Sequence, residues 1–474
     1  MSNDVSIIWF RRDLRLYDNL ALLEANKHQS ILPIFIFDYQ LEEYNKIGSA
    51  SLWWLEKSLV SLNKSLLESL LIFEGDSEET ILKICYKYNI KNVYWNRCYE
   101  PDRIASDTKI KAKLINNNIN AVSFNSSLLW EPWTIKNKSG GPYKVFTPFY
   151  NVGCLNSVKP RKSINIPKIK NYFNINRSQI LYKFKFDFNK SHWSDKFKKY
   201  WSPGEKGALK RFDAFIKEGS KDYSIGRNFP IKENVSRLSP HIHWGEISPF
   251  YIWEQANKNI LEDNKKVFLS EIGWREFAYH LLYNFPTLNK KNLKVNFDNF
   301  KWTENLDNFT KWKIGQTGYP IIDAGIRELW ETGYMHNRSR MITASFLVKN
   351  LLTHWKYGER WFWDCLLDAD LANNSASWQW IAGTGTDAAP FFRIFNPMTQ
   401  AEKFDNDAFY IKKYIPELKS LPNKYIFAPW TAQKDTLSEY NIELGKDYPF
   451  PIIDYTYSRN RALSAYNNFR KNNK

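Results

Sequence analysis

Three side chains of different chemistry lie close together in the segment Glu-Ile-Gly-Trp-Arg at 271–275. On an α-helix each residue turns by about 100°, so Glu271, Trp274 and Arg275 fall within roughly a 100° arc. One helix face then presents a carboxyl group, a large flat ring and a fixed cation. This pattern suits a binding site, and an amphipathic helix with a solvated salt bridge has the same spacing.

A second candidate segment, Tyr-Met-His-Asn-Arg-Ser-Arg-Met, covers 334–341. Asn337, Arg340 and Met341 share a helix face, and Arg338 lies beside it. An amide, two guanidinium groups and a thioether suit the wall of a site for a polar heterocycle. A capped helix N-terminus with its charges in solvent gives the same pattern.

A third segment, DADLANNSASWQW at 368–380, places aspartates and asparagines before two tryptophans. The Asp-x-Asp spacing of Asp368 and Asp370 occurs in sites for divalent metals. No glycine loop that could cradle a phosphate accompanies it, so we expect no metal here.

The first third of the chain alternates short apolar runs with helical patterns, which predicts a parallel sheet covered by helices. We expect an α/β, Rossmann-like domain with five strands, whose ligands would lie at the carboxyl ends of the strands. No GxGxxG follows the first strand, so a dinucleotide site is not supported there. The five runs are 6–10, 31–38, 70–75, 92–96 and 121–124.

The rest of the chain changes character twice. Residues 135–200 have poor periodicity, which predicts a long connection over the surface. From about residue 203 the apolar spacing is helical, and Gly333 and Gly358 are predicted to end helices. The sequence therefore predicts an α/β domain over 1–130, an interdomain connector over 131–202 and a larger all-α domain over 203–474.

Composition narrows the class of partner. The chain of 474 residues has 67 Lys and Arg against 50 Asp and Glu, a net charge of +17 that favours a nucleic-acid partner, although a composition rich in Lys and Asn is the alternative explanation. Its 20 tryptophans favour stacking on bases or ring cofactors. Four cysteines without a CxxC pair argue against a disulfide scaffold and a cysteine zinc site. With no signal-peptide pattern or long apolar run, we expect a cytoplasmic protein without a membrane partner.

Together with four further blocks, these segments resemble the photolyase/cryptochrome family, and most of all its class I enzymes for cyclobutane pyrimidine dimers. The resemblance runs from about residue 5 to about residue 470, and it implies an α/β antenna domain, a connector and a helical domain that binds FAD and DNA. The four blocks are WFRRDLRLYDNLAL (9–22), SRLSPHIHWGEISP (236–249), TGYPIIDAGIREL (317–329) and GTDAAPFFRIFNP (385–397).

The resemblance implies one FAD per chain, active as FADH⁻. Arg275 would contact the diphosphate, Arg340 would pair with Asp368, and Asn374 would face flavin N5, where plant cryptochromes have aspartate. Val235 stands where the family usually has a threonine, so one hydroxyl contact is lost. The implied FAD-binding residues are Tyr223, Val235, Ser236, Arg237, Leu238, Ser239, Arg275, Arg340, Asp368, Ala369, Asp370 and Asn374.

The resemblance also implies an electron-transfer chain and a substrate pocket. The electron-transfer chain is matched by three tryptophans, which from the flavin outward are Trp378, Trp355 and Trp302. Where this sequence has His336-Asn337, the (6-4) enzymes of the family have a His-His pattern. The resemblance therefore implies a cyclobutane dimer as the substrate. The implied catalytic residues are Glu271, Trp274, Asn337, Met341, Trp380 and Asn374, and the implied DNA-binding residues are Arg227, Glu271, Trp274, Asn337, Arg338, Trp380 and Arg393.

The activity implied is light-driven repair, in which reduced FAD passes an electron to a dimer flipped out of DNA, the ring splits and the electron returns. A blue-light photoreceptor of the cryptochrome type and a (6-4) photolyase stay open as alternatives. We expect a monomer. For an antenna chromophore, folate, deazaflavin and flavin are all left as alternatives. Asp102 and Arg103 replace an Asn-Glu pair that folate-type enzymes have, and Ser51 replaces a basic residue of deazaflavin types.

Overall fold

The structure, a computed structural model, describes residues 4–38, 47–175 and 193–472. The chain divides into two compact units. The first unit contains Met1–Lys221 and Ser236–Pro286, and the second contains Asp222–Val235 and Thr287–Lys474. The domain boundaries expected at 130 and 202 stay a prediction.

The first unit contains the expected five-stranded parallel sheet, with the strand order β3-β2-β1-β4-β5. All six residues of β1 are buried, because this strand has neighbours on both sides and both of its faces are covered. The predicted Rossmann-like α/β architecture is confirmed. The strands are β1 (Val5–Phe10), β2 (Ser30–Phe37), β3 (Leu71–Glu74), β4 (Asn92–Asn96) and β5 (Asn120–Phe124).

Helices make up most of the remaining described chain, which confirms the predicted helical character after the sheet. In chain order they are α1 (Leu20–Ala25), α2 (Ser49–Ser65), α3 (Ser77–Tyr88), α4 (Pro101–Asn116), α5 (Phe146–Pro148), α6 (Glu205–Lys217), α7 (Tyr223–Gly226), α8 (Ser239–His243), α9 (Pro249–Asn259), α10 (Glu262–Asn284), α11 (Leu306–Lys313), α12 (Pro320–Thr332), α13 (Asn337–Ser345), α14 (Trp355–Cys365), α15 (Leu371–Ala382), α16 (Pro397–Phe404), α17 (Phe409–Tyr414), α18 (Asn423–Ile426), α19 (Lys434–Glu439) and α20 (Tyr455–Asn472). Two π-helices cover Phe149–Cys154 and Phe346–Asn350, and 3-10 helices cover Trp193–Lys199, Gly219–Asp222, Val295–Asn299, Pro416–Leu418 and Pro429–Thr431.

The two glycines predicted to end helices behave differently. Gly333 follows α12 with φ of 68°, in the left-handed region that a glycine adopts without strain, so that prediction is confirmed. The prediction for Gly358 is wrong, because this residue lies inside α14. A Cβ added there would lie 2.1 Å from the ring atom Cη2 of Trp378. Gly358 therefore permits close packing of an indole against the helix and does not end it.

Part of the predicted surface connection is buried. The π-helix Phe149–Cys154 buries Phe149, Tyr150 and Cys154. The ring of Phe149 lies 5.1 Å from that of Phe277 on α10. The segment has no periodicity of its own because it is shaped by the helix it covers, and that helix carries the first candidate site residues.

Candidate functional site

The predicted site residues are divided between the two units. The first unit holds Ser236, Arg237, Leu238, Ser239, Glu271, Trp274 and Arg275. The second holds Tyr223, Arg227, Val235, Trp302, Asn337, Arg338, Arg340, Met341, Trp355, Asp368, Ala369, Asp370, Asn374, Trp378, Trp380 and Arg393.

Trp274 on α10 forms a fixed aromatic platform. Its ring stacks on that of Phe146, with 3.8 Å between centroids and 9° between planes. Phe146 stacks in turn on Tyr150 at 5.5 Å and 9°. Trp274 keeps 36% of its surface exposed, and the half-buried Glu271 lies about one helical turn away. The stack fixes the plane of an indole that stays accessible to a ligand.

The guanidinium group of Arg275 is fixed by two hydrogen bonds and still has N–H donors without a partner in the described chain. Its Nη1 donates to the backbone oxygen of Ser127 at 2.7 Å and to Glu276 at 3.0 Å. Among the residues that the structure describes, its Nε and Nη2 make no hydrogen bond. Burial raises the pKa of the Glu276 carboxyl to about 7, and the Arg275 cation opposes that shift. Arg275 can therefore still bind an anion through two N–H groups.

The segment Ser236–Ser239 leads into α8 through a sharp turn. Arg237 has φ of 50°, in the left-handed region that non-glycine residues seldom adopt. The backbone N–H of Leu238 donates to Ser236 Oγ at 3.4 Å. Strained backbone of this kind is frequent at ligand sites.

In the second unit, α13 supplies the cation of a partly buried ion pair. Arg340 Nη2 donates to both carboxylate oxygens of Asp368, at 3.0 and 2.8 Å, and its Nε donates to the backbone oxygen of Met335 at 2.7 Å. The Asp368 side chain is 5% exposed. The ion pair expected from the resemblance is present, and it fixes the chain just before α15.

Helix α15 carries a buried amide and a buried indole on one face. Asp370 caps the helix by accepting from the backbone N–H of Asn373 at 2.9 Å. Asn374 and Trp378, one turn apart, are 8% and 2% exposed. Asn374 Nδ2 donates to the backbone oxygen of Glu359 at 3.1 Å, whereas its Oδ1 accepts no hydrogen bond from the part of the chain described. The amide is thus oriented with one acceptor left for a ligand.

The residue that follows Asn374 holds a buried carboxyl group. Ser375 Oγ donates to Glu359 Oε1 at 3.3 Å, and the Glu359 side chain is 9% exposed. Burial raises the pKa of the Glu359 carboxyl to about 7. Asn374 therefore contacts the backbone, and Ser375 the carboxyl group, of a residue whose pKa is about 7.

An aromatic ring connects the two outer tryptophans of the predicted electron-transfer chain. Trp302 lies 5.3 Å from His354, and His354 lies 5.7 Å from Trp355, measured between ring centroids. Trp355 is fully buried and donates from Nε1 to Asn292 Oδ1 at 2.8 Å. Trp302 is half-buried, so this series of rings leads from the core towards solvent.

Two of the predicted DNA-contacting arginines are neighbours. The pKa of Arg338 is lowered mainly by burial, and the positive charge of Arg227 lowers it further. The Arg338 guanidinium lies 4.2 Å from the ring of Phe404 and donates to Asn228. Beside it on α13, the exposed Asn337 lies 3.8 Å from the sulfur of Met341. Like charges held close together favour a phosphate ligand.

Two further predicted residues are Trp380, in the last turn of α15, and Arg393, which follows that helix. Trp380 is half-buried, and its backbone oxygen accepts from Ala389 at 3.1 Å. The exposed Arg393 accepts, through its backbone oxygen, a hydrogen bond from Lys349 Nζ at 2.8 Å. Burial lowers the pKa of Lys349 to about 7. The chain that carries Arg393 is thus fastened to the core of the second unit.

The carboxyl ends of β1 and β4 are joined by side chains. Arg11 Nη2 donates to Asp107 at 2.9 Å, and Trp95 Nε1 donates to the same carboxylate at 3.1 Å. Asn96 Nδ2 donates to Asp13 at 2.6 Å. Mutual hydrogen bonds thus link these polar groups, although Arg11 Nε and Asn96 Oδ1 have no partner among the described residues.

Sequence reasoning missed three residues of these arrangements. Phe146 lies in the segment interpreted as a connector, and only its aromatic neighbours Phe149 and Tyr150 signalled a packed segment. His354 directly precedes Trp355, and its ring is part of the aromatic series. Glu359 shows no signal in the sequence, because its contact with Asn374 depends on how two helices pack.

Within 4–38, 47–175 and 193–472, no cluster of three or more His, Cys, Asp or Glu side chains is arranged to hold a metal ion. Over the same residues, no helix has both the length and the apolar character needed to cross a bilayer.

Comparison with known proteins places the chain in a family. A family model described as "FAD binding domain of DNA photolyase" matches residues 268–468, and one described as "DNA photolyase" matches residues 6–164. The chain is 45% identical to the deoxyribodipyrimidine photo-lyase of Agrobacterium fabrum over 97% of both proteins. It is 34% identical to cryptochrome-2 of Arabidopsis thaliana, over 98% of this chain and 79% of the relative.

A solved structure agrees with these matches. The crystal structure of a bacterial class III photolyase from Agrobacterium tumefaciens superposes with a TM-score of 0.94 and 43% identity, covering 99% of this chain and 98% of that one. The resemblance to class I enzymes therefore stays a prediction. The fold, both domain matches and the full-length relatives agree, and the chain belongs to the photolyase/cryptochrome family.

Proposed function

We propose that the protein is a photolyase that uses light and reduced FAD to split cyclobutane pyrimidine dimers in DNA. The observation that carries the proposal is the platform on α10, where a stacked, accessible Trp274 lies one turn from Glu271. A flat ring of fixed orientation suits an extruded pair of bases, since stacking contributes about 1–3 kcal/mol per base.

The residues of the second unit fit the cofactor that the matched domain binds. Asn374 leaves its Oδ1 as an acceptor for a flavin N–H, and the Arg340–Asp368 pair fixes the chain that precedes it. FAD, when bound, supplies light absorption and one-electron chemistry. A neutral amide at this position supports a reduced flavin without adding a charge or a proton donor, which favours repair over signalling.

The substrate is held by groups of defined chemistry. An ionised Glu271 accepts from a pyrimidine N3–H, and contact with a carbonyl O4 requires its protonated form. The Asn337 amide both donates and accepts, and a histidine at this position would favour the (6-4) product. The Trp274 indole stacks on the fused rings. These groups position the dimer and exclude water.

Trp378, Trp355 and Trp302 relay electrons inward. Indoles are oxidisable, and ring contacts within 6 Å link the outer two through His354. Arg227 and Arg338 hold phosphates of the damaged strand and orient it without reading its sequence. The basic chain then predicts DNA binding that weakens steeply with salt. A monomer in the cytoplasm remains the expected form.

A blue-light photoreceptor is the second candidate, because the chain is 34% identical to a plant cryptochrome. Competition binding in the dark separates the candidates. Labelled DNA with one thymine dimer is competed by undamaged DNA and by DNA with a (6-4) lesion. We expect the protein to bind dimer DNA much more tightly than either competitor. Equal competition by undamaged DNA would favour the photoreceptor.

Removing the ring beneath Trp274 should weaken lesion binding. We expect Phe146→Ala to lower affinity for dimer DNA about two- to tenfold, since a stacked aromatic pair contributes about 0.5–1.5 kcal/mol beyond its buried area. Flavin content should not change. Fluorescence anisotropy with dimer and undamaged oligonucleotides measures both affinities. Phe146→Tyr keeps the stack and should bind like the wild type, and a loss equal to that of Phe146→Ala would refute the explanation.

Glu359 should make stability depend on pH. Its pKa is about 7 in the folded protein against an ordinary 4.5, so between these values the folded state holds a proton that the unfolded state has lost. Stability from this group therefore falls as pH rises through that window. We expect Glu359→Gln to gain melting temperature relative to the wild type from pH 5 to pH 8. Glu439→Gln, at an exposed position on α19, is the control, and parallel curves for all three proteins would contradict the assignment.

A further inference from the structure

A cavity of about 480 Å³ in the second unit opens beside Trp302. It lies between the chain around Trp302 and the first two turns of α14. Indole and phenol rings form part of its wall, through Trp302 and Tyr357. Tyr357 is 39% exposed, so the cavity is reached from solvent. Its volume suits a small molecule with one ring.

The charges of the cavity favour an anion. Lys356 and Arg360 line it, and Glu304 is its one acidic residue among those described. Lys356 Nζ donates to the backbone oxygen of Lys290. The exposed Arg360 guanidinium, in contrast, makes no hydrogen bond or ion pair within the described chain. An exposed planar cation with free donors suits an oxygen-rich anion.

His354 adds an aromatic wall without a further charge. Burial, with the nearby Lys356 cation, lowers its pKa to about 4, so its imidazole is neutral at pH 7. Its Nδ1 accepts from the backbone N–H of Lys356 at 3.2 Å, which places the ring proton on Nε2. Asp298 acts on His354 electrostatically, but it does not line the cavity. The lining groups thus carry two positive charges and one negative charge.

The cavity also lies at the outer end of the aromatic series. Trp355 is fully buried, so a solute cannot reach its ring. Trp302 lines the cavity and connects to Trp355 through His354 at 5.3 and 5.7 Å. A molecule seated here would touch the outermost indole of the relay.

We propose that this cavity binds a small, flat, anionic one-electron reductant of the enediol class, which restores Trp302 after the relay has oxidised it. The inference rests on the proposed function, because it requires that relay. The indole radical cation gains one electron and returns to its neutral state. The enediol anion loses one electron and one proton, the proton goes to water, and the donor leaves as its radical anion.

Ascorbate and dithiothreitol, an anionic and a neutral donor at pH 7, serve as probes. The FAD-loaded full-length protein is photoreduced under constant light at increasing donor concentration. We expect the rate to saturate with ascorbate and to rise linearly with dithiothreitol. Arg360→Gln should raise the half-saturating ascorbate concentration about three- to tenfold, as expected when one hydrogen-bonding cation is removed at an exposed site.

Two further variants make the test specific. Glu304→Gln removes the repelling carboxylate and should lower the half-saturating ascorbate concentration, a gain that misfolding cannot produce. Arg459→Gln removes the same charge as Arg360→Gln from an exposed position on α20 and should leave ascorbate kinetics unchanged. Equal shifts in both arginine variants would overturn the site.

The outcomes separate this inference from the proposed function. Photoreduction by dithiothreitol with a linear ascorbate response, unchanged in Arg360→Gln, would overturn the cavity and leave the relay intact. No photoreduction by either donor would overturn the relay and the reductant site with it. Calorimetric titration of ascorbate in the dark provides a readout without light, and we expect heat of binding in the wild type that is reduced in Arg360→Gln.

Discussion

Asp368→Asn is expected to yield protein with little bound flavin and a melting temperature several degrees lower. The substitution leaves the Arg340 cation without its carboxylate in a largely buried setting. Breaking a buried ion pair from one side costs about 3–5 kcal/mol, and we expect about 2–4 kcal/mol here because Arg340 is 26% exposed. The flavin-to-protein absorbance ratio and a thermal melt measure the two effects.

Glu417→Gln is the matched control. It breaks the Arg327–Glu417 pair of the same unit, whose side chains are 26% and 25% exposed. Solvent screening limits such a pair to about 0.2–1 kcal/mol, and flavin content should stay normal. If Asp368→Asn retained its flavin and melted like Glu417→Gln, the Arg340–Asp368 pair would have no part in holding the cofactor.

Trp274→Ala is expected to weaken binding of dimer DNA roughly 5- to 150-fold, as the loss of about 1–3 kcal/mol of stacking predicts. Affinity for undamaged DNA should change little, because phosphate contacts come from arginines such as Arg338. Anisotropy titrations with the two oligonucleotides, at one fixed salt concentration, give both values.

Trp330→Ala controls for the loss of any exposed indole. Trp330 is 46% exposed and stacks on Trp361 at 5.9 Å and 10°, but lies outside the predicted pocket. The Trp330→Ala variant should bind dimer DNA like the wild type. An equal loss in both variants, or an equal loss of Trp274→Ala for both DNAs, would show that Trp274 does not recognise the lesion.

The sequence predicted the sheet well, because five short apolar runs bounded by turns allow few other structures. The shared face of Glu271, Trp274 and Arg275 also followed from helical spacing alone. The Arg340–Asp368 pair did not, since 28 positions separate its members, and it was expected only from the resemblance. Contacts between distant segments leave no periodic signal.

Two misinterpretations have one physical origin. Gly358 is a typical helix-ending residue, but in α14 it makes room for the Trp378 ring. Phe146 lies in an aperiodic segment, but its ring supports Trp274. In both cases an indole from another segment decides the role of the residue, and local propensity does not report which ring will pack against it.

Light-dependent repair tests the central claim most directly. The protein is photoreduced without oxygen, mixed with an oligonucleotide that contains one thymine dimer, and divided between darkness and blue light. Intact thymines are followed by the return of their ultraviolet absorbance, with a (6-4) oligonucleotide in parallel. We expect recovery only in light and only with the dimer. No recovery with flavin bound and reduced, or recovery of the (6-4) substrate alone, would contradict the assignment.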